Sequence, residues 1–377
     1  MNAGPWLPVP PRGYGGIENI VATLVPELRR LGVEVVLATV GDSELPVEEK
    51  IAAFPSGQFK LLQRPYNQVC GVVPAHQLAV IRRLAEGDID VLHDHVEAAG
   101  LMTAAALGPS APPALQTLHW DLKKHPELYG SFDGGGRVFV NGVSADQLTH
   151  APAALRAHAI GHVHLATPLA ADPRPVPDKG AYAVVLGRIN AGKGQDLAAR
   201  LAHEYGFDLV LAGPVGPYHD AEALAAADPQ NPDVAFWREH VAPYVDGDRV
   251  RWVGTLVGQA RDDLLARARA SLFPLRWNEP GGTAIVESLA VGTPVVGIAR
   301  GCLPELIEHG RTGLHTTDEV ELGELVLKAG LIDPAECQAE AARRFSPAVM
   351  AAGYAELYER LKSITVRIDA DAQSAGV

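Results

Sequence analysis

Short apolar runs alternate with helix-period segments through most of this chain. Residues 33–38, 91–93, 114–118, 182–186, 209–212, 271–273 and 294–297 read as buried strands. Apolar residues three and four apart fill the intervals and predict amphipathic helices. Continuous apolar strands separated by helices imply parallel sheets wound by βαβ crossovers, an α/β architecture.

A length of 377 residues suits two domains, each able to bury its own core. The stretch 167–180 is rich in proline and charge and lacks apolar periodicity. It divides an N-terminal Rossmann-like domain (1–170) from a second one (181–345), with 171–180 as the linker. Ser346 and Pro347 then cap an amphipathic helix over 346–362, and the tail 363–377 reads as disordered. Pro26 should kink the periodic stretch marked by Ile20, Leu24, Leu28 and Leu31. An opening strand is expected to be missing from the first domain, through either a truncated chain start or a sheet built without it, because Met1 to Pro8 is too short and proline-rich for a central one.

Composition narrows the function. Acidic residues outnumber basic ones, 45 to 32, and the net charge of −13 opposes nucleic-acid binding. Cys70, Cys302 and Cys337 form neither a disulfide framework nor a zinc pattern and suit a reducing cytoplasm. No secretory signal opens the chain and no apolar run approaches the length of a transmembrane helix, which leaves only peripheral contact with a membrane.

The most informative stretch, residues 277–287, reads W-N-E-P-G-G-T-A-I-V-E. Glu279 precedes a turn, Gly281-Gly282-Thr283, whose free amides open a helix and attract anions. Glu287 follows inside that helix, where it can accept hydrogen bonds from hydroxyls of the same ligand. Gly187 to Lys193 has Walker A spacing, but Gly194 stands where a Ser or Thr must hold magnesium, and no Walker B aspartate follows. Arg188 and Lys193 remain as cations suited to phosphate. Gly15 and Gly16 form a turn ahead of a helix. His119 closes one strand, and His93 and His95 close another with both rings on one face.

Residues 277–310 resemble the signature of the family-four glycosyltransferases, retaining enzymes of the GT-B fold, in which two Rossmann-like domains face a cleft and a C-terminal helix crosses back to the first. Gly187 to Gly194 resembles that family's G-R-x-x-x-x-K-G segment, and the resemblance extends over residues 13–362. It implies sugar transfer from a nucleotide-diphosphate sugar to an acceptor hydroxyl with retention and without a metal. The run Gly301 to Ile307, G-C-L-P-E-L-I, resembles members that decorate bacterial antibiotics and surface glycans. By this resemblance Arg188, Lys193, Gly15 and Gly16 serve the donor diphosphate. Gly281, Gly282, Thr283 and Glu287 hold donor sugar and nucleotide. Glu279 and His119 act at the reacting sugar, and His93 and His95 either shape the acceptor side or serve packing. Gly281 departs from the family's usual aromatic residue.

No cofactor beyond the nucleotide-sugar co-substrate is implied. A nucleotide-sugar epimerase or hydrolase on the same fold would share the donor site, as would a binding protein without catalysis. The residues name neither base, sugar nor acceptor.

Overall fold

The computed structural model describes residues 1–375. The chain forms two compact units, one of Met1–Ala166 with the C-terminal helix from Pro347, the other of Thr167–Ser346. In the first, β1 (Val36–Thr39), β2 (Glu49–Ala52), β3 (Leu92–Asp94), β4 (Ala114–Leu118), β5 (Val138–Gly142) and β6 (Ala159–His162) pair in parallel as β1-β2 and β3-β4-β5-β6.

The place of an opening strand is not empty. Asn2 bridges in parallel to Ala38 of β1 and to Asp94 of β3. Its N–H donates to His93 (2.8 Å), its carbonyl accepts from His95 (3.0 Å), and Ala3 and Met1 bond to Ala38 (2.9 Å each). Residues 1–3 thus occupy the expected strand's position and join the two sheet halves. Pro5, Pro8 and Pro10, which lack N–H groups, stop the pairing there.

The helix Gly16–Arg30 runs through Pro26 and buries Ile20, Leu24 and Leu28 in one core with Tyr354, Leu357 and Leu361 of the helix Pro347–Ala375. Each fully buried leucine contributes about 1.5–3 kcal/mol. The expected disordered tail is corrected: the helix continues to Ala375. Thr365 is buried, and Asp369 pairs with Arg137 at 2.7 Å, so the segment past residue 362 has contacts to hold it.

The second unit holds β7 (Tyr182–Leu186), β8 (Asp208–Ala212), β9 (Val250–Trp252), β10 (Ala270–Phe273), β11 (Val295–Ile298) and β12 (Gly313–Thr316), in the order β12-β11-β10-β7-β8-β9. Counted from β7 and read from β9, that is the Rossmann order 3-2-1-4-5-6. Ala183 and Val185 enter the core on one face of β7, and Val184 enters that on the other, which explains the unbroken apolar run. The order reverses between β7 and β10, paired at Ala270 and Ala183. The crevice beyond the carboxyl ends of those two strands is where such sheets bind ligands. Among the described residues no helix is long and apolar enough to cross a membrane.

Candidate active site

The loops leaving β7 and β10 meet at that switch point. After β7 the chain turns through Asn190, whose side chain accepts from the Lys193 N–H at 3.1 Å, and through Gly194. Gly194 has φ of 72°, and a Cβ there would lie 2.0 Å from the carbonyl oxygen of Pro274. The position that a Walker loop gives to Ser or Thr therefore accepts only glycine, because the β10 loop passes against it. Gln195 props the turn by donating to the Arg188 carbonyl at 2.9 Å. The Arg188 side chain is exposed and has no protein partner among the described residues.

Lys193 reaches the other loop and forms a hydrogen-bonded ion pair with Glu279, both side chains being mostly buried. Its ammonium also lies 5.2 Å from the centroid of the Trp277 ring, within cation–π range. Glu279 is held from behind by the Cys302 N–H, which donates to its carbonyl at 2.9 Å. Gly301 permits that contact: its φ is 59°, and a Cβ there would stand 2.3 Å from the Glu279 nitrogen. Gly282 then caps the helix Thr283–Ala290, with Thr283 exposed at its start and Gly281 buried before it.

Glu287 lies one turn into that helix with its side chain 15 % exposed. Burial pushes its carboxyl pKa up, against the opposing pull of Arg261. The Arg261 guanidinium donates to Glu287 Oε1 at 3.0 Å and to Asp262 at 2.8 Å. Arg261 was not singled out in the sequence, where Arg-Asp-Asp on a polar helix matches any solvated face. Both glutamates are thus ion-paired within this unit, Glu279 with Lys193 and Glu287 with Arg261.

In the first unit, Gly15 caps the helix that begins at Gly16, and Glu18 is buried in its first turn, where desolvation raises its pKa to about 7. His119, at the end of β4, is half-buried, with Nε2 2.8 Å from His95 Nδ1 and the two rings stacked at 5.1 Å. Desolvation lowers its pKa to about 4, so the ring is neutral at physiological pH.

His93 and His95 are only 3 % and 1 % exposed, which corrects their expected place against an acceptor. They share one face as the strand period requires, but that face is internal. His93 bonds Thr117 at 2.7 Å and Tyr358 at 2.6 Å. Because the Thr117 hydroxyl donates to Asn141 (2.9 Å), it must accept from His93 Nε2–H, leaving Nδ1 to accept from Tyr358. Thr117, Asn141 and Tyr358 escaped the sequence reading, since polar residues inside apolar segments announce no partner. The buried pair thus serves as an internal support for His119.

Two families match the sequence: "Glycosyl transferases group 1" over residues 170–339 and "Glycosyltransferase Family 4" over residues 14–141. The chain belongs to the family-four type of glycosyltransferases with the GT-B fold, and it is a sugar-transferring enzyme. Among solved structures it is similar to AviGT4, a glycosyltransferase involved in avilamycin A biosynthesis, at 26% identity and TM-score 0.62, covering 96% of each chain. The sucrose-phosphate synthase of Thermosynechococcus elongatus shares the fold at 19% identity and TM-score 0.67, over 93% of this chain and 94% of that one. So does Anabaena HepE in complex with UDP-glucose, at 17% identity and TM-score 0.64, over 92% and 97%. No curated protein matches the chain.

Proposed function

We propose that the chain transfers a hexosyl group from a nucleoside-diphosphate sugar to an acceptor hydroxyl, with retention and without a metal or other cofactor. The observation that carries this reading is the meeting of Lys193 and Glu279 at the switch point, with Glu287 on the helix that follows. Cations for phosphate and carboxylates for hydroxyls stand side by side, as a nucleotide sugar requires. HepE, which shares the fold, was solved with UDP-glucose.

Arg188 and Lys193 would neutralise the leaving diphosphate, the charge stabilisation that a metal supplies in other transferases. Glu287 takes ribose hydroxyls, and Glu279 with the amides of Gly281, Gly282 and Thr283 holds the donor sugar. The Gly15-Gly16 turn serves the phosphates. Neutral His119 bonds a sugar hydroxyl. In retention the acceptor oxygen bonds the anomeric carbon on the face that the diphosphate leaves, and a departing phosphate oxygen takes the hydroxyl proton.

Slow hydrolysis of the donor offers a test that needs no acceptor. Proton NMR of UDP-glucose and other nucleotide sugars in EDTA should show the first free sugar with the donor's anomeric configuration. The inverted anomer would contradict retention, and no turnover of any donor would favour a binding protein.

A further inference from the structure

Glu287 is not an isolated carboxylate. Arg261, on the helix Gly258–Arg267, offers one edge of its guanidinium to Asp262, with Nε and Nη2 3.1 and 2.8 Å from Oδ1. This fork orients the remaining nitrogen, Nη1, onto Glu287 Oε1 at 3.0 Å. Glu287 Oε2 has no partner among the described residues, although Glu287 and Asp262 side chains are each only 15 % exposed. Such a fixed fork differs from a mobile surface pair, because planar guanidinium geometry sets the direction of the carboxylate as well as its charge.

The charges differ along the site. Arg261, Asp262 and Glu287 together carry one net negative charge, which favours hydroxyl donors and disfavours phosphate. Lys193 and Glu279 cancel, and Arg188 leaves that end positive. A nucleotide bound here is thereby oriented, with ribose toward Glu287 and diphosphate toward Lys193.

We infer that Arg261 is a positioning residue that locks Glu287 through Oε1 and leaves Oε2 to accept the ribose hydroxyls. The inference rests on the reading of Glu287 as the ribose ligand. It adds that the recognition depends on a side chain that does not touch the nucleotide.

Isothermal titration with UDP and with 2′,3′-dideoxy-UDP tests it, using GDP, ADP and dTDP with their hydroxyl-lacking counterparts should one of those bind more tightly. The native protein should prefer the hydroxylated nucleotide by about ten- to a hundredfold. Glu287→Gln should lose most of that preference, and so should Arg261→Met, while the preference for UDP over UMP stays as in the native protein. Arg261→Lys should recover part of it, and Asp262→Asn, which frees the guanidinium with both ion-pair partners of Glu287 still present, should weaken it. Arg261→Met should also carry the acid limb of UDP binding to higher pH, a change that mere loosening of the helix does not produce. A folded Arg261→Met that keeps the full hydroxyl preference overturns the inference, and so does an unfolded one accompanied by an Asp262→Asn of unchanged preference. If Glu287→Gln also keeps the preference, the ribose reading itself is wrong and both fall.

Discussion

Lys193 and Glu279 stand 86 positions apart in the chain and share one ion pair, because the strands that precede them, β7 and β10, are neighbours where the sheet order reverses. Each loop is held by a glycine against the other's backbone or against the next loop, Gly194 by Pro274 and Gly301 by Glu279. On the proposed reading, a diphosphate bound there would share or displace this pair, so the ligand competes with Glu279 for the Lys193 ammonium.

Lys193→Met should therefore reduce nucleoside-diphosphate affinity by about ten- to a hundredfold, the range for one charge-assisted hydrogen bond. The cost in stability should be smaller, about 1–2 kcal/mol, since both side chains are partly exposed. Titration calorimetry and denaturant unfolding separate the two effects.

Gly194→Ser completes a Walker-type sequence on paper. The left-handed backbone and the 2.0 Å approach of the Pro274 carbonyl oppose it. The variant should lose more than about 2 kcal/mol and gain no magnesium-dependent nucleotide binding. Thermal melts with and without magnesium check both points.

Glu18 provides a pH-dependent contrast. Its folded pKa, raised to about 7 from 4.5, means that protonation favours the folded state. Its contribution is present below pH 4.5 and is lost as pH rises through about 7. Glu18→Gln should thus be more stable than the native protein at pH 8, by up to about 3 kcal/mol, and lose that advantage by pH 5. Melting temperatures of the pair across that interval give the answer.

His76 and His119 have the opposite sign. Desolvation lowers both pKa values to about 4 from 6.5, so their stabilising effect is full above pH 6.5 and is lost as pH falls through about 4. Over the same interval the buried carboxylates act in reverse, so only variant differences resolve the two. His119→Asn should be less destabilising, relative to the native protein, at pH 4.5 than at pH 7.5, as hydrogen exchange in β4 would show.

What was legible in the sequence follows burial. Strands β1, β4, β7, β8, β10 and β11 carry mostly apolar runs because neighbours cover their faces, while β3 shows itself only through Val91 and Leu92 ahead of the buried polar His93 and Asp94. The edge strands β2, β6, β9 and β12 were missed: Glu49, Lys50, His162 and Arg251 face solvent and interrupt any run. Interior β5 was missed too, although Val138, Phe139 and Val140 are apolar, because three glycines precede it. The site's motif residues could be read because glycine, cation and carboxylate recur there at fixed spacing. Arg261 could not, since nothing local says which carboxylate a helix-surface arginine meets. Nor could the burial of His93, which packs against tyrosines more than 250 positions away, the bond to Tyr358 spanning 265.

The most direct single measurement is a thermal-shift panel of UDP, dTDP, GDP and ADP in EDTA, with native protein beside Lys193→Ala and Glu287→Ala. Ligand at about 100 times its dissociation constant stabilises by about 2.7 kcal/mol, an easily seen shift. The expected result is stabilisation of the native protein by one of these nucleotides without metal, and of neither variant. A native protein that melts cooperatively and is stabilised by none of them, or only after magnesium is added, would contradict the metal-free donor site.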